Sequence, residues 1–177
     1  MTASASPRFR DPLGVLLLAV LLWGYSIPPG EQYVNVDYGY ALVLPAGLTA
    51  ECDDPPRPNH GFAVRSQGLA AAQVWLTADY DAQLLETLDA VVANYAAELA
   101  DGAPVANRAT TLAGLPARRL TLAKGTSIEE VVLALRPQPD GVAIIYTIGL
   151  ICSNEACKPA RDAVEQLRRA VVLRPIS

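Results

Sequence analysis

Tyr40-Ala41-Leu42-Val43-Leu44 alternates with a period of two and stops at Pro45, which predicts a strand. Gly61 to Ser66 and Ala71 to Thr77 predict two more; in the second, Val74 and Leu76 share one face while Gln73 and Thr77 share the other. The period then changes. Leu84, Leu88, Val91, Val92, Tyr95 and Leu99 recur at three- and four-residue steps, the stripe of one long amphipathic helix. Asp79 or Asp81 is placed to cap its start, and Gly102 to end it.

Beyond Gly102 the period returns to two. Asn107 to Leu112 and Ala117 to Leu122 flank Ala113-Gly114-Leu115-Pro116, a hairpin-type connection. In the later strand Leu120 and Leu122 are expected to face in, with Arg119 and Thr121 facing out. Ile128 to Leu135 turns Val131, Leu133 and Leu135 inward and Glu130 outward. Val142 to Ile151 is apolar on both faces, as befits a central strand covered on each side. Ala160, Ala163, Val164 and Leu167 mark a closing helix, with Pro159 tolerated in its first turn, and Val171 to Leu173 a last strand. The pattern predicts an α+β fold: a mainly antiparallel β-sheet with one long helix and a C-terminal helix packed on it.

One connection is out of proportion. From Pro45 to Asn59 nothing reads as strand or helix, and Pro55, Pro56 and Pro58 stiffen the chain. Structureless loops of that length tend to be functional or disordered. Glu51, Asp53, Asp54, Arg57 and Asn59, with His60 at the exit, therefore form the candidate partner-binding loop.

The amino-terminal segment sets the compartment. Arg8 and Arg10 precede the apolar run Leu13 to Trp23, which ends in Gly24-Tyr25-Ser26 before Pro28-Pro29-Gly30. This is the layout of a secretory signal peptide, and it falls short of the about 20 apolar residues that a spanning helix needs. Residues 1–26 are read as a signal peptide, or as a signal anchor if uncleaved, and residues 27–177 as a single α+β domain. The chain is expected to be periplasmic or secreted, with membrane contact at the inner membrane only through an uncleaved anchor. Taking Arg8, Arg10 and Asp11 from the 14 basic and 18 acidic side chains leaves 12 and 17, a net charge of −5. That balance excludes nucleic acid as a partner, since phosphate recognition needs a basic face, and argues against anionic lipid.

In an oxidising compartment Cys152 and Cys157, which bracket Ser153-Asn154-Glu155-Ala156, read as a disulfide. Closing so small a loop stabilises by about 2 kcal/mol on the chain-entropy argument. Three cysteines allow three pairings, so Cys52 with either partner stays open. Glu51, Asp53 and Asp54 would raise the pKa of a Cys52 thiol and keep it protonated. His60 is the only histidine. It is expected to serve a turn or strand edge, and a Cys52/His60 nucleophile pair lacks a group to orient the ring. The acidic residues of the loop lack calcium-loop spacing, and no further ligands make a zinc site. No catalytic residues, metal or cofactor are assigned.

Three stretches resemble a known family. Tyr38 to Gly47 resembles the opening strand and Pro-x-Gly turn of PsbP-like and DcrB-like proteins, with Leu48 where that family usually has Trp. Thr110 to Leu120 is similar to the family's central hairpin, and Leu167-Arg168-Arg169-Ala170-Val171-Val172-Leu173 to its last helix and strand. The resemblance implies an antiparallel sheet with packed helices and a role in holding other proteins, with no shared active site. The reading is an exported, non-enzymatic protein-binding or accessory domain of the bacterial cell envelope, its partner another protein. Within the binding class the alternative is an immunity-type inhibitor of a secreted toxin. A different class, an envelope hydrolase or thiol enzyme, would use Cys52 and His60.

Overall fold

The stretch without a polar face, Ile144–Cys152, lies in the middle of an eight-stranded antiparallel sheet. The computed structural model describes residues 25–52, 60–99 and 105–176. Its first half runs β1 (Ser26–Ile27), β2 (Gln32–Asn35), β3 (Tyr40–Val43), β4 (Thr49–Cys52), β5 (Gly61–Arg65), β6 (Ala72–Tyr80) and helix α1 (Leu88–Leu99). The second half runs β7 (Ala106–Leu112), β8 (Leu115–Lys124), β9 (Ser127–Arg136), β10 (Ile144–Cys152), helix α2 (Cys157–Ala170) and β11 (Val172–Leu173). The large sheet has the order β1-β4-β5-β6-β10-β9-β8-β7, and β11-β3-β2 forms a small second sheet.

Both faces of the central strands are covered, which is why Ile144–Cys152 carries no alternation. On one face Val74, Leu76, Val132, Ile148 and Leu150 pack with Ala160, Ala163, Val164 and Leu167 of α2 and with Tyr40 and Leu42 of the small sheet. On the other, Leu120, Val131 and Leu133 pack with Val91 and Val92 of α1. Leu167 is fully buried, so truncating it to Ala would cost about 2–5 kcal/mol. Leu48, at the position where the resembled family carries Trp, is also buried in the larger core. Among the described residues no helix is long and apolar enough to cross a membrane.

Several local expectations are corrected. The stretch Pro45–Asn59 is not structureless throughout: Thr49–Cys52 is a strand between β1 and β5. Four residues are too few to show a period, and their partners supply what propensity does not. Residues 53–59 lie outside the described residues. Helix α1 begins at Leu88, not near Leu84. The Asp81 carboxylate accepts from the backbone N–H of Gln83 and Leu85, closing a turn instead of a helix cap. Leu84 and Glu86 take left-handed backbone angles, φ 52° and 57°. Thr87 supplies the cap through its hydroxyl, which accepts from Ala90 N–H at 3.2 Å. Gly102 lies outside the described residues.

In the hairpin, Ala113-Gly114 alone makes the turn, both at positive φ, and Leu115 and Pro116 already belong to β8. Glu130 does not face solvent. It is buried on the α2 side, where Arg161 reaches it, and Arg119 on the same face is held by Glu165. β11 joins β3 rather than the large sheet. Ser26 and Ile27, which flank the expected cleavage bond, form β1 opposite Glu51 and Ala50, and residues 1–24 lie outside the described residues.

Candidate functional site

Of the candidate loop, Glu51 and His60 are described; Asp53, Asp54, Arg57 and Asn59 are not. The structure places the two on opposite faces of the sheet. Glu51 is exposed on β4, opposite Ala63, and accepts from Arg65 Nε at 2.8 Å. His60 precedes β5 in the phase of Phe62 and Val64 and turns toward Tyr38.

Among the described residues, the partners of His60 come from other parts of the chain. The His60 Nδ1 lies 2.6 Å from Asp79 Oδ1, 3.0 Å from the Tyr38 hydroxyl and 3.3 Å from the Ala78 carbonyl. Tyr38 also contacts the Tyr80 ring, whose hydroxyl donates to the Asp37 carbonyl. Burial first, then the charge of Asp79, raises the Tyr38 pKa, so the phenol stays neutral. Tyr146 donates to the Tyr38 carbonyl at 2.7 Å, and Arg136 Nη1 donates to the Tyr146 hydroxyl and to the carbonyls of Gly39 and Arg174. Together these groups latch the β2–β3 turn and the segment after β11 onto the end of the large sheet. Cys52 is buried in the core opposite Phe62. Attack by its thiol on a substrate arriving from solvent would require the core to open, and His60 Nδ1 is already committed to Asp79. Among the described residues no three acidic, histidine or cysteine side chains are grouped to hold a metal ion.

The surface with room for a partner is elsewhere. Helix α1 packs on β8 and β9, while Glu51, Ala63, Arg65 and Gln73 on the same face stay exposed and Trp75 half-buried. A cleft of about 330 Å³ lies there, lined by Ala63, Val64, Arg65, Gln73, Val74 and Trp75. A second of about 280 Å³ shares Arg65 and Gln73 and runs toward Ile151 and Cys152. Trp75 sits flat against Gly149, its register partner on β10, where any Cβ would overlap the indole. The sequence carried a signal for this: alternation puts Trp75 in phase with Gln73 and Thr77, on the polar side of its strand. The cysteine pair lies at one end of this face. Cys152 and Cys157 are joined, Cα atoms 5.0 Å apart, tying the end of β10 to the first turn of α2.

No protein-family model and no curated protein matches the sequence. Solved structures do match its architecture. One is LpqN of Mycobacterium tuberculosis, involved in cell envelope biogenesis: TM-score 0.53 at 15% identity, over 85% of this chain and 91% of that one. Another is the cyanobacterial PsbP, CyanoP, of Synechocystis sp. PCC 6803: TM-score 0.53 at 12% identity, over 83% and 94%. The fold is PsbP-like. At these identities the likeness is one of architecture. The PsbP-like arrangement here has a mainly antiparallel sheet, a helix near the middle of the chain on one face and a C-terminal helix on the other. Within it, Trp75 marks the border between the core that α1 covers and the part of that face that α1 leaves bare.

Proposed function

We propose that the chain is an exported accessory domain of the cell envelope that binds another protein through the bare half of the α1-side face. The observation that carries this reading is the half-buried Trp75, at the margin of the α1-side core, seated on Gly149 beside Ala63 and rimmed by the Glu51–Arg65 pair. Aromatic anchors with a polar rim are the energetic centres of protein interfaces. The loop 53–59, which joins β4 to β5, stays the proposed second contact. The basic-then-apolar segment ending at Ser26 supports export, and the architecture shared with LpqN, a protein of envelope biogenesis, supports an envelope setting.

The test is co-purification from gently solubilised envelopes. The tagged chain is expected to bring down a discrete protein, and Trp75→Ala or Ala63→Arg to reduce its recovery by at least ten-fold. Failure of the unaltered chain to retain any protein would sink the proposal. Cys52→Ala, which the thiol-enzyme alternative requires to be inactive, is expected to retain the partner.

A further inference from the structure

The β7 edge of the large sheet carries charge that the fold itself leaves unbalanced. Arg108 of β7 and Arg119 of β8 lie directly opposite each other, an arrangement that repels. Arg161, Glu165 and Arg168 lie at helical spacing along one flank of α2 and reach β9, β8 and β7 in turn. Arg161 meets Glu130, Glu165 meets Arg119, and Arg168 donates to the Thr111 carbonyl. Arg168 also pairs with Glu165. Three guanidinium groups thus share two carboxylates, and among the described residues no carboxylate is paired with Arg108, in a chain whose net charge is −4. A cation near a helix C-terminus complements the helix dipole, which accounts for Arg168. It does not account for two arginines facing each other on strands.

The same strand has an open edge. The two-residue turn makes Leu112 and Leu115 the first hydrogen-bonded pair, so alternation turns the backbone groups of Thr111, Ala109 and Asn107 outward. Arg168 takes the Thr111 carbonyl, and no described strand lies beyond β7. We propose that β7 is a docking edge for an extended acidic segment of a partner protein, which adds as a further strand and sets a carboxylate on Arg108. Strand addition obtains affinity from the backbone and specificity from alternate side chains. A carboxylate directly opposite Arg108 on the same face of an added strand would have its Cβ about 5 Å from that of Arg108, within reach of the guanidinium. The inference rests on the reading of the chain as a protein-binding domain, and uses the opposite face from Trp75.

The exported chain is titrated with a fluorescein-labelled, end-capped peptide, Thr-Glu-Val-Glu-Thr-Glu-Val, by anisotropy at low ionic strength. The same peptide with lysine for glutamate is the control. Saturable binding of the glutamate peptide is expected, weakened at least ten-fold by Arg108→Glu and by Ala109→Pro, whose ring removes an outward N–H. Arg174→Glu, the same change of charge elsewhere, should leave it unchanged. N-methylation of alternate peptide amides probes the same edge from the ligand side, should Ala109→Pro fail to fold. Binding that survives both backbone blocks overturns strand addition. No binding, or equal binding of the lysine peptide, overturns the whole inference. Either failure leaves the co-purification test standing, because that test turns on Trp75 and a different readout.

Discussion

Trp75 and Gly149 are register partners across β6 and β10, and the indole fills the space that a side chain at 149 would need. Gly149→Ala must therefore displace the ring or bend the strand, although alanine otherwise suits a strand interior better than glycine. A loss of about 1–3 kcal/mol is expected. Adding Trp75→Ala should recover part of it. The two tryptophans are Trp23 and Trp75, so once the chain is cleaved after Ser26 its emission reports Trp75 alone. Urea unfolding followed by circular dichroism and by emission provides the check, and an unchanged midpoint for Gly149→Ala would refute the seat.

His60 is expected to act as a latch and not as a reagent. His60→Ala removes its bonds to Asp79 and Tyr38 and is expected to cost about 1 kcal/mol, a modest figure because the His60 and Asp79 side chains are both more than a third exposed. Asp79→Asn should cost less. Neither substitution should weaken partner retention once stability is restored by lowering the temperature. Retention lost at full folding would assign His60 a contact role instead.

Reduction of the Cys152–Cys157 bond is expected to lower stability by about 2 kcal/mol. Its effect should centre on the β10–α2 junction. Hydrogen exchange with and without reductant reads this directly: protection should fall first in the opening turn of α2. Peptide mapping without reductant should recover Cys152 and Cys157 in one linked fragment, and recovery of both as thiols would defeat the expectation.

Glu165 gives a pH dependence with a definite sign. Burial alone would raise its pKa, but hydrogen bonds from Arg119 and Arg168, with their charges, hold the carboxyl below the usual 4.5. A depressed folded-state pKa contributes stability that is full above the unfolded value and is lost as pH falls through the folded one. Glu165→Gln is therefore expected to be the less stable protein at pH 7, by about 1 kcal/mol. The gap to the parent chain should close below pH 4.5. A gap that stays constant from pH 7 to pH 3 would contradict the assignment.

Strong periods carried the fold. Ile144–Cys152 reads as a doubly covered strand because both of its faces are apolar apart from Thr147, and Ala160, Ala163, Val164 and Leu167 lie on the face that α2 buries. Local competition defeated the rest. Leu84 fits the helical spacing, yet the Asp81 carboxylate captures Leu85 N–H at 2.6 Å and ends the pattern there. Glu130 reads as a solvent residue by alternation. Its counter-ion, Arg161, comes from a helix 31 positions along the chain, which no local window contains. Glu51 and His60 were grouped by nearness in sequence, but Glu51 lies in β4 beside Ala63 while His60 enters β5 in the opposite phase. Trp75 was in phase with polar neighbours, a sign of exposure that the apolar residues on either side concealed.

The pairing of Val172 with Ala41 has a consequence for the order of events in the cell. β3 lies beside β2 from the start, but its other edge waits for a strand made after the helices and all of the large sheet. Such distant closures are slow, because loop entropy must be spent before the contact returns anything. A nascent chain therefore keeps that edge of β3 unpaired until its last residues are made. For a chain exported as proposed, the small sheet would be completed only after translocation, on the far side of the membrane.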